Sequence, residues 1–409
     1  MNLVLRLAWR NLWRQPRRTW LTTGAMVFAN MLLVFMMSLQ FGMYGLMIDN
    51  SLQLFTGHLQ VQAPGFNDEQ KMRQTVPDIL MLAQRIRNAL PDSRVAARGS
   101  TFALVSSEDR SYGIAIYGVE VKFEPGVSSI PGLVDRGRYL ASNDANEIVI
   151  GSVLARNLRV DVGDELTLLG SGLDGSFAAN VATIAGIFDS GVKDVDRNIV
   201  EIPIGNFQET FFMQGAGHQI VVTAANRDDV TALQSQIQAL LPASSDLQVL
   251  DWDKLQPGLK QAIQADMTSS FFMYFVLVVL VAFSVLNTQL MSVLERTREF
   301  GIVMALGLRP GKLGRLVLLE TAIMGGIGFI LGAIAGALLT SWFSSNGLSF
   351  PGMDEMAAQF NLPARMYPQL NLLTLLAGPA VVFLFTLAAA IYPAVRLNWQ
   401  KPVDAMRVA

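Results

Sequence analysis

The residues most suggestive of chemistry are Gly307-Leu-Arg-Pro-Gly311-Lys312-Leu313, where two glycines and a lysine resemble a phosphate loop. Such a loop needs Gly-x-x-x-x-Gly-Lys-Ser/Thr, because backbone amides wrap the phosphates and the hydroxyl holds magnesium. Here the spacing is one residue short, and Leu313 stands where the hydroxyl belongs. The preceding residues have a helical rather than a strand pattern, so this chain is not expected to hold ATP and magnesium itself. A second glycine-rich stretch, Gly170 to Ser176, lacks a following Gly-Lys-Ser/Thr and reads as a hairpin tip. His58 and His218 are the only histidines and have no zinc-ligand spacing. No Gly-x-Ser-x-Gly elbow occurs, and the absence of cysteine excludes disulfides and thiolate metal sites. No catalytic residue, directly bound cofactor or metal is therefore expected, and the chain is not expected to be an enzyme by itself.

The elements around these residues are unusually apolar. The 409 residues are 51% hydrophobic and 16% charged, against about 25% charged in soluble domains. Four runs are long enough to cross a bilayer, which takes about 20 apolar residues each. They give expected transmembrane helices at 19–48, 267–294, 316–343 and 370–395. Arginines before the first run suggest a signal sequence, but the run is too long and no A-x-A site closes it. It reads as an uncleaved signal anchor.

Charge sets the expected topology. Arg6, Arg10, Arg14, Arg17 and Arg18 precede the first run, and Arg296, Arg298, Arg309, Lys312 and Arg315 follow the second. Arg396, Lys401 and Arg407 follow the fourth. Segments 1–18, 295–315 and 396–409 are thus assigned to the cytosol. Segments 49–266 and 344–369, the latter with Arg365 beside Asp354 and Glu355, are assigned outside. The 49–266 segment carries 27 acids and 17 Lys and Arg, and the remainder 6 acids and 14 bases. The fold class expected is an α-helical membrane protein with four transmembrane helices. A large mixed α/β extracytoplasmic domain is inserted between helices 1 and 2. Within that domain, "HLQVQA", "STFALVSS", "YGIAIYGVEV", "NEIVIG" and "GHQIVVTA" read as strands. "DELTLLGSGLDGSFAANVATIAGIF" reads as two strands joined by a turn. Helical periods occur at "VPDILMLAQRIRNALP" and "RDDVTALQSQIQALLP". These helix-bearing parts are expected to flank a β-rich middle, roughly 100–210, giving two subdomains.

At the N-terminus, Arg6, Arg10, Arg14 and Arg17 share one helical face, with Leu5, Trp9 and Leu12 on another. Such a helix suits the headgroup level of a bilayer, with Pro16 allowing a bend; a simple topology signal is the alternative. Gly328, Gly332 and Gly336 recur every fourth residue, which fits either a dimer seam or packing within one subunit. Met31, Phe35, Met36, Met37, Phe41, Met43, Tyr44 and Met47 make the first run rich in methionine and aromatics. Phe35, Phe41, Met43, Tyr44 and Met47 are the candidates for a cleft that accepts acyl chains, with ordinary lipid-facing packing as the alternative.

The stretch "LERTREFGIVMALGLRPGKLGRL", Leu294 to Leu316, makes sense as a helix, a stop and another helix. Gly307 is a plausible residue just past a helix end, and Pro310 a first-turn residue. Glu295 stands three before Arg298. Ile302, Val303, Leu306 and Leu308 are expected to offer apolar surface beside Glu295, Arg296, Arg298 and Glu299, a combination that suits a protein groove. "ERTREFGIVMALGLRPGKLGRLVLLE" closely resembles the signature of the FtsX-like, MacB-type ABC transporter permeases, carried here by Arg296, Arg298, Glu299, Gly301, Ala305, Leu306, Gly307 and Glu320. The tail "YPAVRLNWQKPVDAMR" resembles that family's ending at Pro393, Ala394, Pro402, Ala405 and Arg407. Phe300 stands where isoleucine is usual.

The resemblance implies that Glu295, Arg296, Arg298, Glu299, Gly301, Ala305, Leu306 and Gly307 form a coupling helix loop that docks on a separate cytosolic ABC ATPase. That ATPase, present in two copies, would bind the ATP and magnesium. It implies a second permease chain, identical or a sister, and mechanotransmission to a MacB-like periplasmic core rather than conduction. Length without a fused ATPase is most similar to the lipoprotein-releasing permeases. The expected setting is a bacterial inner membrane, among membrane lipids, with a lipoprotein cargo and a periplasmic carrier. Nucleic acid is not an expected partner. The alternatives are an exporter of amphiphilic small molecules or peptides, and a regulator of a periplasmic cell-wall hydrolase.

Overall fold

A computed structural model describes residues 3–224, 229–242, 245–349, 351 and 365–399. The tail residues Lys401, Pro402, Ala405 and Arg407, and Asp354 and Glu355, lie outside the described residues. The longer helices are α1 (Leu3–Leu12), α2 (Pro16–Ser51), α3 (Ile79–Ala89), α4 (Val230–Leu240), α5 (Pro257–Glu295), α6 (Thr297–Ala305), α7 (Pro310–Asn346) and α8 (Leu372–Arg396). The chain forms two compact units. One comprises Met1–Gly45, Ala262–Phe350 and Arg365–Ala409; the other comprises Leu46–Gln261 and Pro351–Ala364.

The first unit is helical. Among the described residues, four helices are long and apolar enough to cross a membrane: Pro16–Thr56, Pro257–Glu295, Pro310–Asn346 and Leu372–Arg396. Their ends follow local chemistry. Pro16 and Pro310 open α2 and α7, where a missing N–H costs nothing. Asn371 caps α8 by a reciprocal box: its side chain accepts from the Thr374 N–H at 2.7 Å, and the Thr374 hydroxyl accepts from the Asn371 N–H at 3.1 Å. Gly328, Gly332 and Gly336 settle their own question, because they let α7 press against α2 of the same chain. A Cβ at these positions would lie 2.8, 2.4 and 2.7 Å from the Cβ atoms of Met26, Asn30 and Val34. The close approach also lets the Asn30 side-chain amide donate to the Gly328 carbonyl at 3.1 Å.

The second unit is built on a ten-stranded sheet. Its strands are β1 (Leu59–Gln62), β2 (Arg94–Ser106), β3 (Ser111–Val119), β4 (Val134–Gly137), β5 (Glu147–Gly151), β6 (Glu165–Ser171), β7 (Phe177–Phe188), β8 (Ile199–Pro203), β9 (Gln219–Thr223) and β10 (Gln248–Asp251). At one end the order is β10-β1-β9-β2. β1 runs antiparallel to both β9 and β10, and β9 antiparallel to both β1 and β2. The units β1-α3-β2 and β9-α4-β10 are therefore two interleaved, split β-α-β units. Leu82, Ile86 and Ile237 from their helices join Val61, Ile220 and Val222 in one apolar core.

At the other end β2 pairs with β3 and β6, β3 with β8, β8 with β5, β5 with β7, and β7 with β6. Those six pairings close on themselves as a small barrel, which leaves no open edge among its members. Inward-facing Val105, Ile116, Ile150, Leu168, Ala182 and Val200 fill it together with Phe207 and Phe211. Glycine is required at Gly99 and Gly118, where a Cβ would lie 2.3 Å from Phe207 side-chain atoms. β2 serves both ends, because its 13 residues outlast any single partner. The tip between β6 and β7 is a turn held by Asp174, whose carboxylate accepts from the Ser176 N–H at 2.8 Å.

Candidate functional site

The segment 294–316 lies in the first unit. α5 ends at Glu295, Arg296 breaks the helix with φ −100° and ψ 8°, and α6 then runs to Ala305. The far end is a Schellman closure. Gly307 has φ +94°, its N–H donates to the Met304 carbonyl at 3.0 Å, and the Leu308 N–H donates to the Val303 carbonyl at 3.3 Å. A non-glycine residue at that φ is strained, so Gly307 serves the stop between two helices.

α6 has two faces. Phe300 and Met304 are buried with Val293, Leu313, Val317 and Leu397. Thr297 and Gly301 are also buried, and Val303 is half-buried against that cluster, which withdraws it from the expected apolar surface. Ile302 (49% exposed), Leu306 (84%) and Leu308 (37%) are on the open side, with Arg298 and Ala305 also exposed. At 84%, Leu306 is the most exposed large apolar side chain among the described residues.

The acidic residues of the stretch are held from elsewhere in the chain. Arg14 donates from both terminal nitrogens to the Glu299 carboxylate, at 3.1 and 3.2 Å. The Glu299 carboxyl is held below its usual range by that Arg14 hydrogen bond first. Arg18 donates to Glu295 at 3.0 Å, so Glu295 is engaged away from Arg298. Arg296 reaches Glu320 on α7 at 3.2 Å and lies 3.6 Å from Glu299. The Asn11 amide donates to the same Glu320 carboxylate at 2.8 Å. Asn11, Arg14, Arg296, Glu299 and Glu320 all line one polar cavity of about 180 Å³. The Asn11–Glu320, Arg14–Glu299 and Arg18–Glu295 partnerships join residues 309, 285 and 277 positions apart, and spacing alone gave no sign of them. The one available signal was Glu320 itself, an acid inside an apolar run.

α1 presents Ala8 and Leu12 inward and leaves Leu5, Trp9 and Trp13 exposed. Trp9, Trp13 and Trp20 make a chain of edge-on rings with centroids 5.9 and 6.0 Å apart. Leu12 thus parts company with Leu5 and Trp9, packing against Met26, Val285 and Met324.

The candidate cleft residues meet varied fates. Phe35 is buried with its ring 5.3 Å from that of Phe343. Tyr44 is buried, and its hydroxyl donates to Asp266 at 2.5 Å. Phe41 and Met43 are half-buried, and Met47 belongs to the second unit. Around Tyr44 the structure assembles a polar knot. Gln40 donates to the Tyr44 hydroxyl at 2.6 Å and to Ser270 at 2.5 Å, and accepts from Tyr274 at 2.8 Å.

Both histidines serve the backbone in the second unit. His58 Nδ1 accepts the Ala224 N–H, and His218 Nδ1 accepts the Ser100 N–H, each at 3.0 Å. Burial pushes His218 down to about 4. No group of His, Cys, Asp and Glu suited to a metal occurs among the described residues.

With this geometry in hand, comparison with known proteins is informative. The family model of the FtsX-like permease C-terminal matches residues 271–402, and that of the MacB-like periplasmic core domain matches residues 19–240. The lipoprotein-releasing system transmembrane protein LolC of Xylella fastidiosa is 25% identical over 274 residues, 64% of each chain. LolE of Haemophilus influenzae, of the same system, is 24% identical over 317 residues, 74% of each chain. The macrolide export ATP-binding/permease protein MacB of Nitrosomonas europaea is 33% identical over 130 residues, 30% of this chain and 20% of that one. The chain spans 64% of the length of the first of these relatives. The crystal structure of the periplasmic region of MacB from Actinobacillus actinomycetemcomitans aligns over 51% of this chain and 94% of that one, at 12% identity and a TM-score of 0.37.

Proposed function

This chain belongs to the FtsX-like, MacB-type ABC transporter permeases, and from that premise we propose that it is the membrane subunit of a machine that extracts lipoproteins from a bacterial inner membrane. A separate cytosolic ATPase, in two copies, drives it. The observation that carries the reading is the open apolar edge of α6, Ile302, Leu306 and Leu308, on a helix whose other face is fixed in a core. An edge of this kind is a docking surface when a partner groove covers it. The basic N-terminal segment and α6 face the cytosol in this reading, and the MacB-like domain faces the periplasm. A second permease chain or lipid covers α5, the least enclosed of the four long helices, with 17% of its apolar window buried against 44% for α2. The LolC and LolE relatives, named for lipoprotein release, favour a lipoprotein cargo, and a periplasmic carrier that receives it belongs to the proposal. The stretch shared with MacB keeps export of small amphiphiles as the second reading.

Affinity purification in mild detergent, with mass spectrometry of retained proteins and lipids, tests the reading. Recovery of an ABC ATPase together with an acylated protein supports it. An ATPase with small amphiphiles alone turns it to the second reading, and no ATPase sinks both. In the reconstituted complex Leu306→Asp is expected to lower ATPase stimulation at least about tenfold, as loss of a central apolar anchor does. Glu299→Lys is also expected to uncouple turnover. Gly301 is buried, so Gly301→Trp would report on packing rather than docking.

A further inference from the structure

The polar contacts around the 180 Å³ cavity form a closed circuit. Asn11 donates to Glu320, Arg296 donates to Glu320 and approaches Glu299, and Arg14 donates to Glu299. The Arg14 N–H then donates to the Asn11 carbonyl at 3.1 Å, which completes the ring. Its members come from the end of α1 and the turn after it, the α5–α6 break, α6 and α7. Two arginines and two glutamates make it neutral. Glu320 is 5% exposed and takes donors from two different elements, so it is the hub. Arg296 sits at the one residue where the backbone leaves the helix.

We propose that this ring positions α6, with Glu320 and Arg296 as positioning residues that fix the angle of the docking helix against the N-terminal arm. The proposal rests on the reading of α6 as the docking helix. The break at Arg296 interrupts the helix between α5 and α6, across which the Thr297 hydroxyl still donates to the Val293 carbonyl at 3.1 Å. Apolar packing of Phe300 and Met304 resists lifting of α6 but is non-directional, so rotation about its axis is left to directional contacts. Ion pairs with hydrogen-bond geometry supply that direction. The ring also bears on how force would pass. A partner pushing on Ile302 and Leu306 would load Arg296 and Glu299, and through them both α7 and the N-terminal arm.

The chain has no cysteine, so two introduced cysteines are unique labels. The test places spin labels at Leu7→Cys and Ile302→Cys in the full-length chain in lipid nanodiscs, without ATPase. A narrow distance distribution is expected in the parent. It should broaden in Arg296→Ala and in Glu320→Gln, which is nearly isosteric and keeps an acceptor for Asn11. A width unchanged in either single variant would overturn the proposal.

A second measurement uses unlabelled protein with the partner ATPase. Glu320→Gln should lower maximal stimulated turnover by about fivefold, the low end of inter-site coupling, while the ATPase concentration for half-stimulation stays unchanged. A raised half-stimulation concentration at full turnover would overturn it. A parent chain that stimulates no ATPase would sink the proposed function, yet the label distances would still decide the ring.

Discussion

Two sets of charged residues in this chain are built on opposite terms. In the second unit Arg98 is wholly buried, pairs with the equally buried Glu124, and donates to the Phe55 carbonyl at 2.6 Å. Glu201, also buried, is no charge beside them: burial keeps it protonated up to about pH 8, and it accepts from the Tyr139 hydroxyl at 2.7 Å. In the first unit the Arg14–Glu299 pair is open to solvent, at 61% and 49%, and the Arg18–Glu295 pair is partly so, at 23% and 40%. The buried set bears a large desolvation cost, offset only while every partner is in place. The open set costs little to make and little to break. Charges that must never move are sealed in. On α6, the helix proposed to meet a partner, Glu299 and its partner Arg14 are open to water, and the ring they belong to grades inward through Arg296 to buried Glu320.

The sharpest way to break this contrast is Arg98→Ala. It strands Glu124 and frees the Phe55 carbonyl, and removing one partner of a buried pair costs about 3–5 kcal/mol. Thermal unfolding of the full-length chain, followed by hydrogen exchange in β2 and β3, is expected to show that loss. A change below about 1 kcal/mol, the range of exposed pairs, would mean that water reaches the site and the contrast is false.

A smaller effect is expected from pH. Glu201 is pushed up to about 8, by burial first and by Glu124 next, with the Tyr139 hydrogen bond and Arg98 opposing. The folded chain therefore keeps a proton that the unfolded chain releases above the usual value of 4.5. Its contribution is complete below that value and is lost as pH rises through about 8. His218 acts in the opposite sense: its stabilisation is present above its ordinary 6.5 and is lost as pH falls through about 4. Between those ordinary and shifted values, from 6.5 to 8, Glu201 is the one of the two that titrates on unfolding. Stability there should fall with rising pH as about one proton is released on unfolding. Glu201→Gln should flatten that slope.

The smallest effect sharpens the contrast from the open side. Arg14→Ala, at the open Arg14–Glu299 pair, is expected to change stability by about 0–1 kcal/mol, with the change vanishing at high salt. Chemical denaturation at low and high ionic strength checks it.

Much of the architecture was legible in the residues. The β6–β7 hairpin, the α3 and α4 helical periods and the four apolar runs are local patterns, and local patterns survive folding. The closed barrel runs from Arg94 at the start of β2 to Pro203 at the end of β8, and β2 serves both ends of the sheet. The site was only half legible. Gly307 and Pro310 announced the stop between helices, because those residues have few other uses at those positions. The inward turn of Val303 and the separation of Leu12 from Leu5 and Trp9 were not legible, since period alone does not say which neighbour a face will meet. The pairing of Glu295 with Arg298 was reasonable for an isolated helix, but the break at Arg296 and the nearness of Arg18 took it away.

By itself the sequence determined where apolar length suffices to cross a bilayer, where positive charge gathers, and that the glycine–lysine stretch lacks a phosphate loop's spacing and hydroxyl. These follow from composition and from neighbours a few residues apart. Tertiary structure alone decided that Gly328, Gly332 and Gly336 face α2 of the same chain, that Glu320 gathers Asn11 and Arg296, and that six strands close into a barrel. Each of those joins residues distant along the chain, and such contacts exist only once the backbone has brought their elements together.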